Sequence, residues 1–452
     1  MKFSDVHNTI GKHMLADGMS PVIDLENSHG SWLVDGKTGG EYLDLFSMFA
    51  SLSIGYNHPY VIENKERLLN SAINKPTNSD IYSISMAEFV ETMGRVAQPD
   101  YLPYSFYVSG GALAVENALK AVFDWKVRKN IEKGNGQLGS KVLHFEKCFH
   151  GRSGYTLSLT DSPDPRKVKY FPKFDWPRVS TPNIIFPLDE KNLEDVIKRE
   201  NISIRQIKEA IQKNPHDIAC MIIEPIQGEG GDNHFRPEFL IKLKEICLEN
   251  DILLIFDEVQ TGVGITGEMW AHQHLCKINC DCGSTINCQP MEPDIISFGK
   301  KTQCCGIFAG KRLDEVENNV FHESSRINST WGGNLVDMVR FTIYLEIIEQ
   351  ENLVKKAKDS GDYLLDHLMT LQNDYPDLVS NSRGKGLFCA FDLPNSGARD
   401  ELATVLMDNK VIVLGSGDRS IRFRPHLNIK TEEIDTGISA IRKSLNKIKI
   451  DN

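Results

Sequence analysis

The chain has 452 residues and a net charge of −11, with 40% hydrophobic and 25% charged residues. That length accommodates a large core and two or three domains. The acidic balance argues against a general affinity for nucleic acid or an anionic membrane, and apolar runs such as IACMII are far too short to span a bilayer.

The first residues carry no apolar signal core, and the first arginine is Arg67, so neither a secretory nor an Arg-rich transit peptide is expected. A cytoplasmic setting is expected, and ten cysteines suit a reducing compartment. SWLVDGKTGGEYLDLF predicts a hairpin turning around residues 36–40. From about Ser71 the pattern alternates helices with apolar strands. YSFYV runs into Ser109-Gly110-Gly111 and then into a helix with Val115, Ala118, Leu119 and Val122 on one apolar face. KVLHF and IACMII read as further strands, and PEFLIKLKEICLEND as a helix with Leu240, Leu243 and Cys247 inward. Strand, helix, strand in this rhythm predicts a parallel sheet with right-handed crossovers. A long helix begins near Leu335. Beyond it, GLFCAFDL and VIVLGSGDRSIRFRP predict strands and a hairpin of a smaller α+β domain.

Two strands end in reactive residues. ILLIF (252–256) continues into Asp257, and DIISF (294–298) into Gly299, Lys300 and Lys301. Apolar runs of this length suit strands buried on both faces, and open α/β sheets bind ligands outside the carboxyl ends of such strands. A carboxylate and an amine delivered there match what pyridoxal phosphate requires: one keeps the pyridine nitrogen protonated, the other holds the aldehyde as a Schiff base. Asp257 continuing a buried strand needs a cationic partner, whether the pyridinium or an arginine, or else serves as a helix N-cap. Lys300 and Lys301 are adjacent and would face opposite ways in an extended segment, one inward and reactive, the other solvated.

The remaining candidates each carry a second reading. Gly111 and Ala112 follow a strand and open a helix, which suits a phosphate or simply makes a tight turn. Phe149 can stack on a ring and Arg152 can grip a carboxylate, or they are a core Phe and a surface Arg; no catalytic role is assigned to His150. Glu229 sits in a loop with three glycines after IACMII, as a pocket carboxylate or a solvated acid. Thr330 in Asn328-Ser329-Thr330 is a phosphate clamp or a helix N-cap. Arg422 and Arg424 share one face of a strand and require acidic partners or solvent; either can hold a substrate carboxylate.

The order SGGALAVENALK, FHGR, EPIQGEGG, LLIFDEVQTGVGITG, PDIISFGKK, NSTWGGN and IRFRP resembles the class III pyridoxal-phosphate aminotransferases over nearly the whole chain. The resemblance implies an α/β fold of the fold type I, aspartate-aminotransferase-like kind. It has a large domain with a mostly parallel seven-stranded sheet (residues 71–340) and a small α+β domain built from residues 1–70 and 341–452. It further implies a homodimer with active sites at the interface and pyridoxal 5′-phosphate as cofactor. By the same resemblance Lys300 takes the Schiff-base position, Asp257 the pyridine-nitrogen position and Phe149 the ring-stacking position. Gly111 and Ala112 fall at the phosphate, with Thr330 reaching over from the partner subunit. Gln260 lies beside the ring, and Asn328 belongs with the substrate-binding set. Arg152 and Arg422 match two carboxylate-binding arginines, with Glu229 as the acid that pairs with the second.

Within the family, SWLVDGKTGGEYLDLFSMFASLSIGYNHP and FGKKTQCCGIFAG are similar to the lysine ε-aminotransferases. That implies transfer of the ε-amino group of L-lysine to 2-oxoglutarate, yielding 2-aminoadipate 6-semialdehyde and glutamate. The alternatives are 4-aminobutyrate or ornithine as amino donor, and, more remotely, a non-catalytic binding protein on the same fold. Ser109 departs from the pattern, which has glutamate there in the lysine enzymes. So does an insertion of roughly fourteen residues before Met291-Glu292-Pro293-Asp294. Cys276, Cys280, Cys282 and Cys288 lie in or next to that insertion, with His272 and His274 upstream. Thiolates and imidazoles clustered this closely can close a tetrahedral zinc site, although the spacing is not the usual paired CxxC, or they belong to a surface loop with incidental cysteines.

Overall fold

The computed structural model describes residues 1–276 and 291–448. Its centre is a seven-stranded sheet. In chain order the strands are β1 (Tyr104–Val108), β2 (Lys141–Phe145), β3 (Arg178–Val179), β4 (Ile218–Ile223), β5 (Leu253–Asp257), β6 (Ile295–Phe298) and β7 (Cys305–Ala309). They lie in the order β1-β7-β6-β5-β4-β2-β3. Only β7 runs against its neighbours β1 and β6; the other pairs are parallel, so six strands point one way. The mostly parallel sheet expected from the sequence is therefore present. Every residue of β4, β5, β6 and β7 is buried, as strands covered by helices on both faces must be.

The helix Gly111–Glu132 follows β1, with Val115, Ala118, Leu119 and Val122 buried as their spacing predicts. Pro237–Glu249 precedes β5 and buries Leu240, Leu243 and Cys247. Each apolar side chain taken fully out of water contributes about 1.5–3 kcal/mol. Several dozen do so on the two faces of this sheet, which makes it a rigid mount for the residues at its edge.

The two ends of the chain meet away from this sheet. Trp32–Val34 and Glu41–Asp44 form the expected hairpin, and Val411–Ile412 adds to it in parallel, Val411 opposite Leu43. A second, antiparallel sheet joins Ser380–Lys385, Phe388–Asp392, Ser420–Phe423 and Leu414–Ser416. Its first strand, SNSRGK, has no apolar alternation and is not legible from sequence. Buried polar contacts hold it instead: Arg383 Nη1 lies 2.9 Å from Asp392 Oδ1, and Asn381 donates to Asp392 Oδ2 at 2.9 Å. Among the described residues no helix is long and apolar enough to cross a membrane.

Candidate active site

Because six strands run the same way, their carboxyl ends form one edge. Five of them contribute to a cavity of about 260 Å³ lined by residues that include Gly111, Phe149, Glu224, Asp257, Gln260 and Lys300. Ala112, His150 and Arg152 complete the wall with their neighbours. The residues named from the sequence thus converge across nearly 190 positions of chain.

Register explains how Asp257 is held. Ser297 of β6 stands opposite Asp257 of β5, and its Oγ donates to Asp257 Oδ1 at 3.1 Å. The Val259 N–H donates to the same oxygen at 3.1 Å, and His150 Nδ1 lies 2.7 Å from Oδ2. A carboxylate only 3% exposed is thus fixed in orientation by three contacts at the cavity wall. His150, which has no role in the sequence reading, is therefore part of the site. It is fully buried, and its Nε2 finds no hydrogen-bond partner among the described residues.

Glu224 was also missed. It continues β4 as Asp257 ends β5, so the same signal was available. It accepts from the Phe149 N–H at 2.9 Å and the Gly228 N–H at 3.0 Å, tying the loop after β2 to the glycine loop. Burial pushes its carboxyl up to about 7, opposed by His150 and helped by Asp257. The glycine loop packs tightly: a Cβ on Gly230 would stand 1.8 Å from the Lys147 carbonyl oxygen.

Lys300 begins a short 3-10 turn, Lys300–Thr302, with φ 52°, so it is not in an extended segment. Burial, and next the charge of Arg422, push its amine down to about 8. Lys301 corrects the expectation that the other lysine is solvated. It is 2% exposed, and its Nζ donates to the Gln260 carbonyl oxygen at 2.7 Å. The turn rotates both side chains inward, one into the cavity and one beneath it.

Beyond Gln260, Arg422 and Arg424 do share a face, and each has its acid. Arg422 Nη2 donates to Glu229 Oε2 at 2.9 Å, and Arg424 pairs with Asp232. Gln260 Oε1 accepts from Arg424 Nε at 3.0 Å and lies 3.5 Å from Arg422 Nη1. Arg424 also lies 3.3 Å from the centre of the Phe388 ring, which makes it a structural residue and leaves Arg422 beside the cavity. Glu229 has a second partner absent from the sequence reading: Lys167 Nζ donates to its Oε1 at 2.7 Å. Burial opposes the Glu229 charge, but Arg422 and Lys167 outweigh it and hold the carboxyl below its ordinary range. Arg152 is exposed at the cavity wall and makes no ion pair among the described residues.

Gly110, with φ +110°, enters the helix Gly111–Glu132 without a side-chain cap. The first-turn amides of Gly111 and Ala112 are therefore available to an anion at the cavity wall. Asn328 and Thr330 do not line the cavity of their own chain; both are exposed. Cys280, Cys282 and Cys288 lie outside the described residues. Among the described residues no group of three His, Cys, Asp or Glu side chains is placed to hold a metal.

A buried carboxylate, an inward lysine and an anion-ready helix start on one parallel sheet define a site of the aminotransferase kind. The class-III aminotransferase family model matches residues 14–445, and the chain belongs to that family. It is 51% identical over 444 residues to the L-lysine-epsilon aminotransferase of Mycobacterium tuberculosis, covering 97% of this chain and 95% of that one. A solved structure of lysine aminotransferase from M. tuberculosis superimposes with a TM-score of 0.94 at 50% identity, covering 99% of this chain and 100% of that chain. The 4-aminobutyrate aminotransferase of Dictyostelium discoideum is 32% identical, covering 94% of this chain and 85% of that one.

Proposed function

We propose that the protein transfers the ε-amino group of L-lysine to 2-oxoglutarate with pyridoxal 5′-phosphate as cofactor, giving 2-aminoadipate 6-semialdehyde and L-glutamate. The observation that carries this reading is one arginine, Arg422, masked by the carboxylate of Glu229, next to the Lys300 amine. The greater likeness to lysine ε-aminotransferases than to a 4-aminobutyrate enzyme supports the donor.

The cavity fits the cofactor. Asp257 offers a fixed anion for a protonated ring nitrogen, Phe149 a half-buried ring to stack, and the Gly111 and Ala112 amides a phosphate cradle. When bound, pyridoxal phosphate supplies the electron acceptor that lets a C–H bond beside the amine ionise. Lys300 takes that proton and returns it, and an amine lowered to about 8 serves as base near neutral pH. His150 and Ser297 keep Asp257 oriented throughout.

The two substrates make opposite demands. Lysine brings a bare CH2–NH3+ to the reacting position, where an unpaired buried arginine would be costly. Glu229 neutralises Arg422 for lysine and releases it for the carboxylate of 2-oxoglutarate. Arg152 holds the remote carboxylate in both halves, and because the semialdehyde leaves before 2-oxoglutarate enters the same site, turnover is ping-pong. Six free thiols (Cys148, Cys220, Cys247, Cys304, Cys305 and Cys389) support a cytoplasmic setting. Exposed Ile81, Tyr82, Ile84 and Trp331, with Asn328 and Thr330 outside their own cavity, support a homodimer in which Thr330 serves the partner's phosphate site.

The test is a half-reaction screen of lysine, ornithine and 4-aminobutyrate, read by the cofactor's visible absorption. Lysine gives the highest kcat/KM; faster conversion of either other amine overturns the donor assignment.

A further inference from the structure

We propose that Lys167 is the resting partner of Glu229 whenever Arg422 is released, and thereby a specificity-setting residue for the 2-oxo acid half of the reaction. This rests on the reading of Glu229 as the mask of Arg422. The two oxygens of Glu229 are divided between two cations from different parts of the fold. Arg422, on the strand Ser420–Phe423, takes Oε2, and Lys167 takes Oε1. Arg422 can therefore leave without disturbing the Lys167 bond.

The sequence DSPDPRK prepares this contact. Asp164 caps the turn Pro165–Lys167 by accepting from the Arg166 N–H at 3.0 Å, and Pro165 fixes the first position. A preset turn holds Lys167 on the far side of Glu229 from Arg422. On that side lies a second cavity, of about 370 Å³, lined by Lys167, Glu229, Arg399, Ser416 and their neighbours. The acids there are largely engaged already, Asp164 by Arg166 and Asp400 by Arg399. A carboxylate swung off Arg422 thus finds both room and a cation.

The energetic consequence is unequal. In the closed state, used for lysine, Glu229 has Arg422 whether or not Lys167 is present. In the open state, used for 2-oxoglutarate and glutamate, Lys167 is its remaining ion-pair partner. Without Lys167, opening leaves a three-quarters-buried carboxylate unpaired, which raises the free energy of that state more than that of the closed state, where Arg422 still neutralises Glu229.

The experiment measures both half-reactions and steady-state constants of the holoenzyme for wild type, Lys167→Met and Lys167→Arg. Lys167→Met raises KM for 2-oxoglutarate by about tenfold at similar kcat, as expected for losing one partner of a partly exposed charge pair. Its lysine half-reaction stays within about threefold of wild type, and Lys167→Arg restores 2-oxoglutarate to within about threefold. Equal losses in both half-reactions, no loss in either, or an arginine variant as impaired as methionine overturns the proposal while wild-type lysine turnover stands. A wild-type enzyme that does not convert lysine overturns the underlying reading, and the proposal with it.

Discussion

Glu229→Ala tests the mask most directly. Arg422 is 4% exposed at its side chain, and its Nε has no partner among the described residues. Once Glu229 is gone, its nearest remaining acceptor in the set is Gln260 Oε1, at 3.5 Å. Removing one member of a fully buried ion pair costs about 3–5 kcal/mol. Glu229 is itself 25% exposed, so water enters the vacated space. A fair magnitude is then about 2–3 kcal/mol, or roughly a 30- to 150-fold loss in kcat/KM. That loss falls on lysine, whose chain must lie beside the uncovered guanidinium. Glutamate and 2-oxoglutarate bring their own carboxylate, and their half-reaction changes by no more than about fivefold. Single-turnover traces of the cofactor absorbance with each substrate supply both numbers. Equal factors in the two half-reactions would refute the reasoning. The pattern is the reverse of that expected for Lys167→Met, so the two variants check each other.

Three further outcomes follow from the same geometry. Lys301→Ala lowers unfolding free energy by about 2–4 kcal/mol in guanidinium titrations, because it empties a buried site and strips the Gln260 carbonyl of its donor; a loss under about 1 kcal/mol contradicts the buried placement. Lys301→Met, which fills the space, loses less. Asp257→Asn removes the fixed charge and lowers turnover by about 10²–10³-fold with weaker cofactor retention, and activity within tenfold of wild type counts against the assignment. In cofactor-free protein Lys300 titrates near 8 instead of 10.5. Burial disfavours its charged form, so the penalty is full below pH 8 and disappears once the unfolded chain also deprotonates. Wild type therefore gains stability relative to Lys300→Met as pH rises from 8 to 10.5, and acylation of Lys300 shows a midpoint near 8. A midpoint near 10.5 sinks this expectation.

The sequence by itself determined five of the sheet's seven strands and its working edge; Arg178–Val179 and the antiparallel Cys305–Ala309 were not read from it. YSFYV, KVLHF and IACMII occupy the strand bounds they suggest, and Asp257 and Lys300 stand at the carboxyl ends of neighbouring strands. Strands buried on both faces must be continuously apolar, so the first polar residue after each run is conspicuous. By that rule Glu224 was legible too. Contacts between segments remote in sequence were decided only by the tertiary structure. His150 reaches Asp257 because the loop after β2 folds over the end of β5, and Lys167 reaches Glu229 across 62 positions of chain. Lys301 is buried because a turn with positive φ replaces the extended segment that alternation assumes. Periodicity reports which face of an element is apolar. It carries no information on which polar groups from distant loops will share one buried charge, and that is settled when the loops at the carboxyl edge of the sheet fold over one another.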